Sequence, residues 1–276
     1  MTETTGPQTG PDVPTDLRER LEAAARAGRV LFATDFDGVL APLGDDPMAV
    51  RPVDGAMELL RTATELEGVT VAVVSGRDLQ TLATLTSAGG EDDPIVLLGS
   101  HGGQGSRPDL LEHPPLTDAQ TRALSDLDAR LVELVEAHPG ARIERKPAAV
   151  VLHTRGMATE AGAAAGAAAL SIGAAVDGTH PLQGKDVVEL AVTDVSKGTA
   201  LAAVGAALSV DVTCYFGDDV TDETVFTILD PASGDVTVKV GAGDSAAVCR
   251  LPDERSVAEA FRVFVEARTG SSPDTR

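Results

Sequence analysis

The chain has 276 residues, a formal net charge of −21 and an apolar fraction of 43%. That is room for one large domain or two unequal ones with a sizeable core. So acidic a composition argues against nucleic acid or an anionic membrane as partner, because both need basic patches.

No stretch approaches the about 18 apolar residues of a membrane span. The start of the chain has no basic residues leading into an apolar run, so it is not a secretory signal. Cys214 and Cys249 are the only cysteines. They match no metal-ligand spacing and no disulfide framework, so a reducing cytoplasm is the expected location. Charge of one sign favours a soluble monomer.

Residues 1–14 are polar and rich in Pro and Gly, and are expected to form a disordered tail. Leu17, Leu21 and Ala24 recur at helical spacing over Thr15–Ala27, with Thr15 as a helix cap. Val30–Thr34 reads as a strand. Ala56, Leu59, Leu60 and Ala63 mark one face of a helix over Pro52–Leu66. Val69–Val74 is a short, β-branched apolar run, as expected of a buried parallel strand. Asp78–Ala88 is helical and Ile95–Leu98 is another buried strand. Strand and helix alternate at the spacing of βαβ units, which predicts a parallel, doubly wound α/β sheet.

The pattern changes over 108–190. Thr117–Ala137 is a long amphipathic helix whose Thr117 and Gln120 form a capping box. Residues 142–155, RIERKPAAVVLHTR, are extended and dense in positive charge. Ala158–Leu170 is an Ala-rich helix. Ala174–Val192 reads as two strands joined near Pro181–Lys185, polar on alternate residues as in an antiparallel sheet with one wet face. This block is expected to be an inserted α+β domain between two pieces of the core, 15–107 and 191–276. The βα pattern then resumes with a helix over Thr199–Leu208, a strand at Val212–Phe216, a helix over Thr221–Leu229, a strand at Val236–Val240 and a closing helix at Ser256–Thr269.

Asp35 and Asp37 lie i, i+2 at the end of the first strand, so an extended chain points both to one side. Two carboxylates that close repel unless a cation lies between them. The pair fits a hard divalent metal, Mg²⁺ by its preference for oxygen ligands. It equally fits an Asp-Gly turn closing a strand. Three further elements sit at strand ends or a helix start: Ser75-Gly76-Arg77, Lys197, and the acidic run Asp218, Asp219 and Asp222. Each alone has a plain reading as a turn, a solvated lysine or an acid-rich helix start. Together they supply the parts of a phosphoryl-transfer site. Asp35 would be the nucleophile and Asp37 the general acid/base. Asp218 would complete a metal site with Asp35 and Asp37, and Asp219 and Asp222 would support it. Ser75 and Gly76 would hold phosphate oxygens, and Lys197 would neutralise charge on the phosphoryl group.

DFDG at 35–38, Ser-Gly-Arg at 75–77, Lys-Gly at 197–198 and GDD at 217–219, in this order, resemble the haloacid-dehalogenase-type phosphatases. GSHG at 99–102, ERKPAAVVLHTR at 144–155, GKDVVEL at 184–190 and YFGDDVTDETVF at 215–226 narrow the resemblance to trehalose-6-phosphate phosphatases, over about residues 28–266. The resemblance implies a Rossmann-like core with an inserted cap domain of the C2 type. It implies a Mg²⁺-dependent hydrolysis of a small-molecule sugar phosphate, trehalose 6-phosphate, with a cap that closes over the core and excludes water. It also implies that Glu144, Lys146, His153, Lys185 and Glu189 of the cap, with Arg77, hold the substrate. For the charged residues of the cap strings the alternative is a solvated sheet face with paired charges.

Two positions depart from the family pattern. Glu189-Leu190 is followed by Ala191-Val192 where Arg-Pro is common, and His153 by Thr154 where an aromatic is common. A relative acting on another glycosyl or pseudo-disaccharide phosphate would keep the core and alter the cap in this way. A catalytically inactive regulatory domain is the remaining alternative.

Overall fold

The structure, a computed structural model, describes residues 13–44, 46–90, 92–112, 114–184 and 186–270. It divides into two units, Met1–Glu112 with Ser196–Arg276, and His113–Val195. The inserted unit thus lies some five residues later than the sequence pattern placed it, at 108–190. Leu110 and Leu111 still pack on the larger unit, whereas Val192 belongs to the core of the inserted one. The tail reading also needs correction at its end. Val13 is buried and Pro14, not Thr15, precedes the first turn of helix, while residues 1–12 lie outside the described residues.

The larger unit runs, in chain order, α1 (Thr15–Ala24), β1 (Val30–Asp35), α2 (Ala56–Thr64), β2 (Val69–Val74), α3 (Leu79–Thr86), β3 (Val96–Gly99) and β4 (Gln104–Gly105). The inserted unit supplies α4 (Asp118–Ala137), β5 (Arg142–Lys146), β6 (Ala149–His153), α5 (Thr159–Ala174), β7 (His180–Gly184) and β8 (Val187–Ala191). The larger unit resumes with α6 (Lys197–Leu208), β9 (Val212–Gly217), α7 (Glu223–Phe226), β10 (Val236–Val240), β11 (Cys249–Leu251) and α8 (Glu254–Gly270).

The central sheet has seven strands in the order β11-β10-β9-β1-β2-β3-β4, parallel except for β4. Its middle strands are buried on both faces, which is why they read as continuous apolar runs rather than alternating ones. Phe32 of β1 faces the side covered by α1, α2, α3 and α8, and its neighbours Leu31 and Ala33 face α6 and α7. Four of the few aromatic residues meet at one place: Phe32 lies 5.6, 5.2 and 4.4 Å from the rings of Phe216, Phe261 and Phe264. Such pairs each add about 0.5–1.5 kcal/mol beyond area burial, and here they tie the last helix to the first strand. Asp35, Ser75 and Asp218 follow or end β1, β2 and β9, so topology alone brings them to one carboxyl edge, where open α/β sheets bind ligands.

The inserted unit is a four-stranded antiparallel sheet in the order β5-β6-β8-β7. The extended segment 142–155 is a hairpin, β5 paired with β6. Val150, Leu152, Val188 and Leu190 form one apolar face against Leu127 and Leu131 of α4 and Ala165 and Ala169 of α5. The capping box of Thr117 and Gln120 is present at the start of α4. The helix expected over Thr221–Leu229 is shorter, only Glu223–Phe226, and the Asp222 side chain before it accepts from the amides of the preceding loop.

Candidate active site

Lys197 opens α6, where Ser196 caps the helix by accepting a bond from the Thr199 amide. It is only 2% exposed, and its Nζ donates to Asp35 Oδ2 at 2.7 Å and to Asp222 Oδ1 at 2.8 Å. A buried ammonium is stable only with such partners. Asp222 spends both oxygens. Oδ1 also accepts from the Tyr215 hydroxyl at 2.6 Å, and Oδ2 accepts from the amides of Asp218 and Asp219 at 2.8 and 2.9 Å. Burial disfavours the Asp222 charge, but Lys197 and these donors outweigh it and hold the carboxyl below its ordinary pKa.

Asp35 is in the opposite position. Burial, followed by the charge of Asp222, raises its pKa well above the ordinary carboxyl value, and Lys197 only partly offsets this. Its Oδ1 accepts from the Phe36 amide at 2.6 Å. Asp218 is raised to about 7, again by burial first and Asp222 second. Burial opposes the charge of Lys197 too, yet its two carboxylate partners raise its pKa on balance. The arrangement therefore carries negative charge around Asp35 and Asp218 that Lys197, and Lys239 beside Asp218, only partly offset.

Oxygens of Asp35, Asp218 and Asp222 all lie within 4.8 Å of one another. An all-oxygen set of desolvated carboxylates is what a hard divalent cation requires, so the residues fit such an ion. Asp222 is already engaged by four donors, whereas Asp35 and Asp218 are less fully engaged. Asp37 is not among the three. Its carboxylate is clamped by Arg77, with Nε at 2.7 Å from Oδ2 and Nη2 at 2.6 Å from Oδ1. Arg77 also donates to the Pro47 carbonyl and lies 5.5 Å over the Phe36 ring. A bidentate guanidinium fixes the plane of its carboxylate.

Two glycines are dictated by this packing. Gly38 has φ +72° and a Cβ there would collide with the Asp218 carboxylate. A Cβ on Gly217 would strike the Asp222 side chain. Ser75 is buried, and its Oγ accepts from the Arg77 amide at 3.1 Å. The GSHG segment braces this loop: the Ser100 amide donates to the Arg77 carbonyl and the His101 amide to the Ser75 carbonyl, at 2.7 and 2.9 Å. Ser100 and His101 both hold left-handed backbone, φ 50° and 55°, which local function or packing must support. Gly76 lies between these two braced residues. Asp219 is exposed, and its Oδ1 accepts from the Val220 amide at 2.7 Å.

In the inserted unit, β5 pairs Glu144 with Val151, and Val151 pairs with Glu189 of β8. Cross-strand partners share a face, so Glu144, Lys146, His153 and Glu189 stand together on the face opposite the apolar one. Lys146 Nζ donates to Glu189 Oε2 at 2.6 Å, with the two side chains 7% and 13% exposed, and His153 Nε2 lies 2.7 Å from Glu144 Oε2. Arg145 points the other way and pairs with Asp128 of α4 at 2.7 Å. Lys185 lies outside the described residues.

Two residues at the site escaped sequence reasoning. Tyr215 and Lys239 sit inside the strand runs VTCYFG and VTVKV, where they read as strand residues only. A lone lysine between valines was the available signal for the second.

The trehalose-phosphatase family model matches residues 33–271. The chain belongs to the trehalose-phosphatase family. A trehalose-phosphate phosphatase of Mycobacterium marinum is 32% identical over 237 residues, 82% of this chain and 58% of that protein. An uncharacterized glycosyl hydrolase of Mycobacterium tuberculosis is 34% identical over 202 residues, 70% of this chain and 15% of that protein. The chain thus spans between about a seventh and three fifths of these curated relatives. The trehalose-phosphatase fold is also that of the C-terminal domain of Candida albicans trehalose-6-phosphate phosphatase. The match has a TM-score of 0.73 and 21% identity, and covers 95% of this chain and 99% of that one.

Proposed function

We propose that this chain hydrolyses trehalose 6-phosphate to trehalose and inorganic phosphate, through an aspartyl-phosphate on Asp35. The observation that carries the reading is the buried ion cluster in which Lys197 bridges Asp35 and Asp222 beside Asp218. A carboxylate at a strand end with an adjacent fixed cation suits attack on phosphorus. An Asp35 oxygen bonds to phosphorus as the bond to the sugar oxygen breaks, and Asp37 gives that oxygen its proton. Asp37 then takes a proton from water, whose oxygen attacks phosphorus, releasing phosphate and restoring Asp35. Lys197 offsets the charge gathering on the phosphoryl oxygens, which Ser75 and the Gly76 amide hold.

Asp35 and Asp218 would hold Mg²⁺, with Asp37 as a third candidate, Asp222 fixing Asp218 through its amide and Asp219 flanking it. When bound, Mg²⁺ screens the phosphoryl charge from these carboxylates. Arg77 is assigned to orienting Asp37 as well as to substrate. Glu144, Lys146, His153, Lys185 and Glu189 are assigned to the sugar hydroxyls, supported by the shared polar face of four of them. In this reading the inserted unit is the cap domain and sets the substrate. Among the described residues no helix is long and apolar enough to cross a membrane. A cytoplasmic setting is supported by two buried free thiols, Cys214 and Cys249. A monomer is supported by the net charge of −21.

A second reading keeps the chemistry and changes the sugar. Val192, at one of the two positions where relatives carry Arg-Pro, is 2% exposed in the inserted unit's apolar core. Phosphate release measured with Mg²⁺ on trehalose 6-phosphate, glucose 6-phosphate and other glycosyl phosphates decides between them. Trehalose 6-phosphate turned over no faster than glucose 6-phosphate refutes the first reading. Release unchanged in Asp35→Asn refutes both.

A further inference from the structure

Lys239 lies in β10 between Val238 and Val240, which point into the larger core cluster. The lysine is nevertheless only 6% exposed. β10 pairs in parallel with β9, setting Thr237 opposite Tyr215 and Lys239 opposite Gly217. Alternation along the strand then puts the Lys239 side chain on the Tyr215 face, at the edge where Asp218 begins its loop. There its Nζ donates to the Asp218 carbonyl.

Lysine is among the residues least often buried, and taking an ammonium out of water is costly. A neutral amide could make the same bond to a carbonyl without that cost. The position therefore uses the charge. Oxygens of Asp35, Asp218 and Asp222 lie within 4.8 Å of one another, Asp219 follows Asp218 directly, and Lys197 engages two of these four carboxylates. With Lys239 the formal balance is two net negative charges; without it, three. A dianionic phosphate has to be brought to this site.

We infer that Lys239 is a positioning residue that sets the charge of the acidic site, trading tightness for the cation against tolerance of the phosphate. The inference rests on the phosphatase reading above. It has a signature that loosened packing cannot mimic. Loss of one positive charge strengthens cation binding and weakens anion binding, whereas disorder weakens both.

The test is isothermal titration of metal-free protein with Mg²⁺, and of Mg²⁺-saturated protein with inorganic phosphate. It compares wild type with Lys239→Gln, which keeps a donor, and Lys239→Met, which does not. Both variants should bind Mg²⁺ about tenfold more tightly and phosphate about tenfold more weakly, the scale of one charge a few ångströms away in a partly screened site. Lys239→Arg should stay near wild type. Exposed Asp219 offers a charge-restoring partner: Lys239→Gln with Asp219→Asn should return both affinities towards wild type, and Asp219→Asn alone should shift them the opposite way. The inference falls if both affinities drop together, if neither moves, or if Lys239→Gln behaves as wild type while Lys239→Met does not. Should the lysine variants fail to fold, an unshifted Asp219→Asn overturns it. Failure in a protein whose wild type binds both ions sinks Lys239 alone. A wild type that binds neither sinks the phosphatase reading with it.

Discussion

With Asp218 as the proposed metal ligand, Mg²⁺ binding should depend on pH, with a size that follows from the surroundings of that carboxyl. Its carboxyl is raised from an ordinary 3.8 to about 7 by burial and by Asp222. The gap amounts to about 4 kcal/mol against the ionised form in metal-free protein. A raised carboxyl contributes stability below its unfolded pKa and loses it as pH rises through the folded one, here between 3.8 and about 7. Asp35, also raised, acts in the same direction. Asp78 and Asp253 are held low, so they titrate below this window and do not mask it. In EDTA the melting temperature should therefore fall between about pH 4 and pH 7, and Mg²⁺ should restore more of it at the higher pH. Because the ion must displace the proton, Mg²⁺ affinity should fall about 25-fold from about pH 7.5 to pH 5.5, with protons released to the buffer. Isothermal titration in two buffers of different ionisation enthalpy measures both quantities. An affinity constant across that range, with no proton release, would refute the assignment of Asp218 to the metal.

Lys197→Met should abolish phosphate release and cost about 3–5 kcal/mol in urea unfolding, because it strands two buried carboxylates. An active variant would remove Lys197 from the mechanism. Tyr215→Phe should cost about 1–2 kcal/mol and slow turnover less than Asp35→Asn does, since Asp222 keeps Lys197 and two amides when the hydroxyl goes; steady-state kinetics and melting check this. Lys146→Ala and Glu189→Ala should chiefly raise KM for trehalose 6-phosphate, and an unchanged KM with lower kcat would argue against simple substrate binding.

The fold was legible where burial is symmetrical. β1, β2 and β9 are covered on both faces, so their apolar runs and the intervening helical periodicity led directly to a parallel sheet, and the sheet's geometry to a shared edge for Asp35, Ser75 and Asp218. Short elements were not legible. β4 and β11 have two and three residues and carry no periodicity. The domain boundary slipped because Leu110 and Leu111 look like loop until the core they pack on is known. Pairings across long separations were also hidden. Arg77 reads as a turn residue after β2 and, by resemblance, as a substrate ligand. That its guanidinium clamps Asp37, forty residues earlier, depends on how two loops face each other. Lys146 and Glu189, forty-three residues apart, needed the register of three strands to meet.

The acidic run GDDVTDE shows most clearly what geometry adds. The sequence pattern assigns Asp218 to the metal and leaves Asp219 and Asp222 undistinguished as its support, and packing three carboxylates next to Asp35 looks prohibitive. Their environments resolve it. Asp222 is held ionised by an ammonium, a hydroxyl and two amides, so its charge is spent within the fold and it serves as the peg on which Lys197 and the 218–219 loop hang. Asp219 stays exposed, so its charge carries no burial cost. Asp35 and Asp218 are the two that burial, and then the charge of Asp222, push towards protonation. These two are thus the carboxylates whose charge a divalent ion would offset. Removing Asp222 should on this argument do more damage than removing Asp219, although it touches no reacting atom.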